Sequence, residues 1–177
     1  LLCGGGVEGA HDEVVALAAA LKAPIVHALR GKEHIEWDNP YDVGMTGLIG
    51  FSSGYYAMGA CDALLMLGTD FPYRQFYPKD ARVAQIDIRP ESIGRRTSVE
   101  EGLIGDVKHT LAALMPKIAE KSDDKHLRAA VDHYTEARAA LDKLAQGRPG
   151  GRLHPQHVVR VLSELASEDA AFTADVG

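Results

Sequence analysis

Short apolar runs alternate with amphipathic stretches over residues 1–115, a rhythm that predicts βαβ units and a parallel sheet. Leu1-Leu2-Cys3 is the first predicted strand and runs straight into Gly4-Gly5-Gly6. Over residues 11–21, Val14, Val15, Leu17, Ala18 and Leu21 are spaced for one face of a helix. Pro24-Ile25-Val26-His27 predicts a second strand, because proline is excluded from helix interiors. Residues 30–53 then read as a long connection, carrying Gly31, Gly44, Gly47, Gly50 and the Asn39-Pro40 breaker. Connections of that length are uncommon in compact domains and often functional.

Residues 54–61 predict a helix, and the continuous apolar run Ala63-Leu64-Leu65-Met66-Leu67 predicts a strand buried on both faces. Further strands are expected at 82–88 and within 101–105, and helices at 107–120 and 124–145. Glycine and proline over 147–153 mark a linker. A helix over 155–165, with proline in its first turn, and a last strand over 171–176 read as the opening of a further domain. The chain starts inside a predicted strand and stops on an apolar run, where natural termini are usually frayed and polar. The expectation is a piece of a longer polypeptide.

Composition narrows the classes. The 177 residues suit one domain and some extra, with 46% apolar and 25% charged positions. A net charge of −6 disfavours nucleic acid, which requires a concentrated basic face. No apolar run approaches the roughly 20 residues of a membrane span, and no leader is visible. Cys3 and Cys61 lack metal-ligand spacing and read as small buried thiols of a reducing cytoplasm.

Several predicted strands end in glycine or acidic residues, where open parallel sheets bind ligands. Gly4, Gly5 and Gly6 either let a phosphate approach backbone amides at a helix N-terminus or make only a tight turn. They fall short of a full G-x-G-x-x-G fingerprint. Asp87, in Gln-Ile-Asp-Ile before Arg89-Pro90, either accepts from ribose hydroxyls or an adenine amino group, or caps a short helix over 90–93. Thr69, Asp70, Phe71, Pro72, Tyr73 and Arg74 follow a buried strand. Arg74 there can pair with a diphosphate and the aromatic rings can cover a flat group, or the segment is a surface turn with one salt bridge. Gly105-Asp106 is either a ligand-facing turn or a helix N-cap. Gly50-Phe51-Ser52-Ser53-Gly54 lacks nucleophile-elbow spacing. His126, His133, Arg95 and Arg96 read as solvated, and no catalytic or metal residue is assigned.

Taken in order, Leu2-Cys3-Gly4-Gly5-Gly6, residues 27–35 (His-Ala-Leu-Arg-Gly-Lys-Glu-His-Ile), residues 39–51 (Asn-Pro-Tyr-Asp-Val-Gly-Met-Thr-Gly-Leu-Ile-Gly-Phe) and residues 85–94 are more specific. Together they resemble the central domain of pyruvate oxidases and quinone-dependent pyruvate dehydrogenases, thiamine diphosphate enzymes that carry FAD. The resemblance implies a three-layer αβα fold with a Rossmann-like, six-stranded parallel sheet over 1–146. Beyond the linker, 154–177 resembles the start of the family's C-terminal diphosphate-binding domain.

It implies flavin contacts at Gly4–Gly6, at Ala28, Leu29 and Arg30, at Thr46, Gly47, Leu48 and Ile49, and at Gly68 with Thr69–Arg74. Asp87 with Ile88, and Gly105 with Asp106, complete the set. Thiamine diphosphate and Mg2+ would bind elsewhere in the full-length enzyme. Partners would be its flanking domains, pyruvate and a quinone, in a homotetramer of the cytoplasm or the inner face of the membrane. An acetolactate-synthase-like domain with structural FAD, and a scaffold domain that has lost FAD, are the alternatives. The match over 27–51 favours the pyruvate-oxidising branch. A stand-alone NAD module is disfavoured by the incomplete glycine fingerprint.

Overall fold

The computed structural model describes residues 1–147 and 150–173. Six strands form one parallel sheet: β1 (Leu2–Cys3), β2 (Ile25–His27), β3 (Asp42–Met45), β4 (Ala63–Leu67), β5 (Arg82–Asp87) and β6 (Glu101–Ile104). Their order is β3-β2-β1-β4-β5-β6, and every neighbouring pair is parallel. The helices are α1 (His11–Leu21), α2 (Lys32–Ile35), α3 (Ser52–Gly59), α4 (Val107–Leu114), α5 (Lys125–Leu144) and α6 (Pro155–Leu165). This is the three-layer α/β architecture expected.

Strand alternation builds the layers. Cys3, Ile25, Leu67 and Ile86 point to one face and meet Val14, Leu17 and Ala18 of α1 with Val107 and Leu111 of α4. Leu2, Val26, Val43, Leu64, Met66 and Val83 point to the other and meet Ala57 and Met58 of α3 and Ala130 of α5. Each face is thus a separate apolar core over the inner strands, whereas β6 at the sheet's edge is exposed along its length.

Two boundaries depart from expectation. The connection over 30–53 contains α2 and β3, so it is not a structureless loop; β3 carries Asp-Val-Gly-Met, which lacks the β-branched and aromatic density that marks strands. The helix from 107 stops at Leu114 and tightens into a 3-10 turn over Met115–Lys117, because Pro116 removes the next amide donor. By contrast, α1 and α6 occupy the predicted spans.

The chain divides into two compact units, Leu1–Thr135 and Glu136–Gly177. In the second, α6 leaves Val158, Val159, Leu162 and Leu165 exposed, and His157 Nδ1 meets the Ala145 carbonyl at 2.8 Å. Of the strand expected over 171–176, residues 171–173 have no regular structure and the rest lie outside the described residues. Residues 148 and 149 of the expected linker also lie outside them. Among the described residues no helix is long and apolar enough to cross a membrane.

Candidate functional site

The chain leaves β1 toward one side of the sheet and β4 toward the other, so the order reverses between these neighbours. In such sheets a crevice opens outside the carboxyl ends at the reversal. The loops after β1 and β4 lie against each other there. The Gly4 amide donates to the Leu67 carbonyl and the Gly6 amide to that of Gly68, both at 3.0 Å. A Cβ on Gly4 would come within 2.6 Å of the Gly68 oxygen, and one on Gly68 within 2.5 Å of Gly6 Cα. The glycines therefore serve close backbone approach. The turn enters a three-residue 3-10 helix, and α1 begins only at His11. Of the helix N-terminus expected behind the glycines, what remains is the Gly5 amide, where a Cβ would meet nothing nearer than 3.5 Å.

Beyond β2, the Ala28 amide donates to the Cys3 carbonyl at 2.9 Å, and Leu29 and Arg30 turn outward. Beyond β3, Thr46 is buried and its Oγ1 has no protein hydrogen-bond partner. Gly47 follows at φ +115°, and the turn exposes Leu48 and Ile49. A buried hydroxyl without a partner is costly unless a ligand or water completes it.

Beyond β4 the turn is more structural than expected. Asp70 accepts two bonds from Arg96 (2.7 and 3.1 Å) and one from Arg95 (3.3 Å). The salt bridge of the plainer reading thus exists, made by arginines expected in solvent. Phe71 is buried in the second core, its carbonyl accepting from Tyr77 Oη at 2.8 Å, so it is not available to cover a ring. Pro72, Tyr73 and Arg74 are exposed; Arg74 Nη2 donates to the Arg95 carbonyl at 3.2 Å.

Beyond β5, Asp87 is 3% exposed, and its Oδ1 accepts from the Arg89 amide at 2.9 Å. It does not cap the Pro90–Ser92 turn, which has no side-chain cap. Its second oxygen is left for another donor. Beyond β6, Gly105 donates to the Asp87 carbonyl at 3.0 Å. Asp106 accepts from the His109 amide at 3.0 Å as the N-cap of α4, and that bond holds its carboxyl below the ordinary range. Its plainer reading, a helix cap, is the one realised.

These ends share one edge. Leu29, Leu48, Ile49, Tyr73, Ile88 and Ile104, all at or just past the carboxyl ends of five different strands, are between 36 and 68% exposed. Arg30, Arg74 and Arg89 are exposed along the same edge, on a chain whose net charge is −6. An apolar row with interspersed guanidinium groups suits a long, flat, anionic ligand. A hollow of about 500 Å³ lined by Leu29, Lys32, Glu33, Glu36 and Trp37 adjoins the end of β2. Its lining includes no residue of β1, β4 or the loops after them, and only Leu29 is shared with the strand-end row.

Sequence reasoning missed two polar features. His27 is 1% exposed, between Glu36 and Asp42; the available signal was a histidine closing an otherwise apolar strand. Gln85, also buried, donates to the carbonyls of Thr69 (3.3 Å) and Ser92 (3.1 Å) and accepts from the Gly94 amide. It ties the loops after β4 and β5 together. His133, expected in solvent, lies 3.2 Å from Ser52 Oγ and packs against Tyr56.

The family model for the central domain of thiamine pyrophosphate enzymes matches residues 1–114. An uncharacterised 42.6 kDa protein of Pseudomonas amyloderamosa is 64% identical over 81% of this chain and 36% of its own length. The acetolactate synthase large subunit of Corynebacterium glutamicum is 30% identical over all of this chain and 30% of its own. Pyruvate oxidase of Lactiplantibacillus plantarum is 25% identical over 98% of this chain and 29% of its own. The chain spans about a third of the length of these relatives.

Proposed function

The chain belongs to the family of thiamine pyrophosphate enzyme central domains, and from that membership we propose that its strand-end edge binds FAD for a pyruvate-oxidising enzyme. The exposed apolar residues grouped at the carboxyl ends of five strands carry the reading, since apolar surface gathered at one edge marks a ligand or partner site. Its position is the one that parallel sheets reserve for ligands.

The residues present fit the group. Asp87 has a carboxylate oxygen for a ribose hydroxyl or adenine amino group. The lone Thr46 hydroxyl and the Gly5 amide supply polar contacts in confined space. Arg30, Arg74 and Arg89 supply charge for a diphosphate. Leu48, Ile49 and Tyr73 offer apolar surface for a flat ring. When bound, the flavin supplies the complete enzyme's two-electron acceptor. The chain's own task is to bind and orient it and to keep water from its faces.

In the complete enzyme, pyruvate would be decarboxylated to acetate and CO2, with a quinone as the final acceptor. Thiamine diphosphate and Mg2+ would be held by flanking domains. We assign residues 154–177 to the opening of one such domain, a reading that the uncovered apolar side of α6 supports. The second reading is an acetolactate synthase with structural FAD, favoured by the 30% identity to that enzyme against 25% to pyruvate oxidase.

The test is titration of the chain with FAD and ADP, following flavin fluorescence and Tm. Both ligands should raise Tm by mass action. Asp87→Ala should weaken ADP at least about tenfold, the loss of a charged hydrogen bond, whereas Asp12→Ala on the exposed side of α1 should not. No Tm shift at millimolar ligand would overturn the flavin reading in favour of a scaffold. In the complete enzyme, anaerobic pyruvate should bleach the flavin; a flavin that stays oxidised selects the synthase reading.

A further inference from the structure

β5 reads Arg-Val-Ala-Gln-Ile-Asp, and its alternation places Val83, Gln85 and Asp87 on the same face of the sheet. Val83 packs there into the second apolar core, so a carboxamide two residues along the strand calls for a reason. Gln85 is 2% exposed, and an amide buried without partners would be costly. Its Nε2 donates to the Thr69 carbonyl at 3.3 Å and to the Ser92 carbonyl at 3.1 Å, and its Oε1 accepts from the Gly94 amide at 3.0 Å. Two carbonyls and one amide leave the carboxamide a single orientation.

The three partners belong to two loops. Thr69 opens the loop after β4, whereas Ser92 and Gly94 lie in the turn after β5. The rim ties the same loops again: Arg95 and Arg96 donate to Asp70, and Arg74 Nη2 donates to the Arg95 carbonyl. Those arginines stand partly or largely in solvent, whereas Thr69 and Ser92 are buried with Gln85. The carboxamide is thus the tie least open to competition from water.

The turn it holds also sets Asp87. The Arg89 amide donates to Asp87 Oδ1 at 2.9 Å, and Arg89 Nε lies 3.8 Å from the same oxygen. The Ser92 amide in turn donates to the Arg89 carbonyl at 3.0 Å, so a grip on Ser92 reaches Arg89. We propose that Gln85 is a positioning residue. By pinning the turn over 89–94 to the loop after β4, it fixes the Arg89 amide on one oxygen of Asp87 and keeps the other for the nucleotide. It does this without touching the ligand. The inference rests on the reading of that edge as an FAD site.

The experiment measures ADP affinity of the 177-residue chain for the wild type, Gln85→Met, Asp87→Ala and the double variant. Methionine is unbranched and adaptable in shape, and makes none of the three bonds. Gln85→Met should weaken ADP at least about fourfold on its own. In the Asp87→Ala background it should cost less than about twofold, because there is no carboxylate left to position. A residue that only stabilises the fold would cost the same factor in both backgrounds, so equal factors overturn the proposal. An unchanged affinity of Gln85→Met overturns it too. If Gln85→Met fails to fold, Gln85→Asn takes its place: an amide one methylene shorter spans the two loops poorly, and the same pair of factors is expected.

Hydrogen exchange reads the relay without ligand. The Arg89 and Gly94 amides should exchange faster in Gln85→Met than in wild type, and those of Ile25 to His27 should not change. An Arg89 amide that keeps its wild-type protection overturns the relay. If wild type binds neither ADP nor FAD, the flavin reading fails alone, and exchange still decides whether Gln85 holds Arg89.

Discussion

Gly68 and Asp87 show how differently single residues were readable. Asp87 was legible because a carboxylate in an apolar strand has few reasons to be there, and the structure buries it with one oxygen committed to Arg89. Gly68 was legible as a strand end but not as a packing residue, since its demand comes from Gly6, 62 positions away in the chain. Its φ of +54° and the absent Cβ are both required, so Gly68→Ala combines left-handed strain with a backbone clash. We expect that variant to lose about 2 kcal/mol or more in urea unfolding; a loss below about 0.5 kcal/mol would show that the β1 and β4 loops can part freely. Asp70 teaches the opposite lesson. Its neighbours in sequence suggested a ligand contact, but Arg95 and Arg96 reach it from a loop that periodicity could not place.

Elements were readable to the degree that their period was strong. In α1, apolar residues recur on one stripe, and Val14, Leu17 and Ala18 are the ones buried. β3 was missed because it is short and carries a glycine and an aspartate; it is a strand by pairing with β2, not by propensity. Helices α4 and α6 are both amphipathic in sequence, yet only α4 is covered: Leu111 is fully buried, whereas Leu162 is more than half exposed. Leu111→Ala should therefore cost about 2–5 kcal/mol, and Leu162→Ser less than about 0.5 kcal/mol. Denaturant midpoints check both, and similar costs would mean that α6 is packed in solution.

Across the whole molecule, charge is arranged as scattered exposed pairs. Lys22 holds the Glu120 carboxyl, and Arg82 that of Glu100, below the ordinary carboxylate range. Groups whose folded values are lowered contribute fully above the unfolded value, near 4.3, and cease to contribute as pH falls through the folded one. Urea midpoints should thus drop between pH 6 and pH 3, and 1 M NaCl should shrink the drop by screening. A salt-insensitive drop would assign it to buried groups such as His27 instead.

By itself the sequence determined the α/β class, most elements and the strand-end segments, because these depend on local period and on residue types with few other uses. Only the tertiary structure decided the strand order, with its reversal between β1 and β4. It alone also decided the role of the glycines as spacers between two loops, and the placing of His27 beside Glu36 and Asp42. Each of these joins residues far apart in the chain, and the physical demand that selects them, close backbone approach or a buried partner, exists only once the sheet has brought them together.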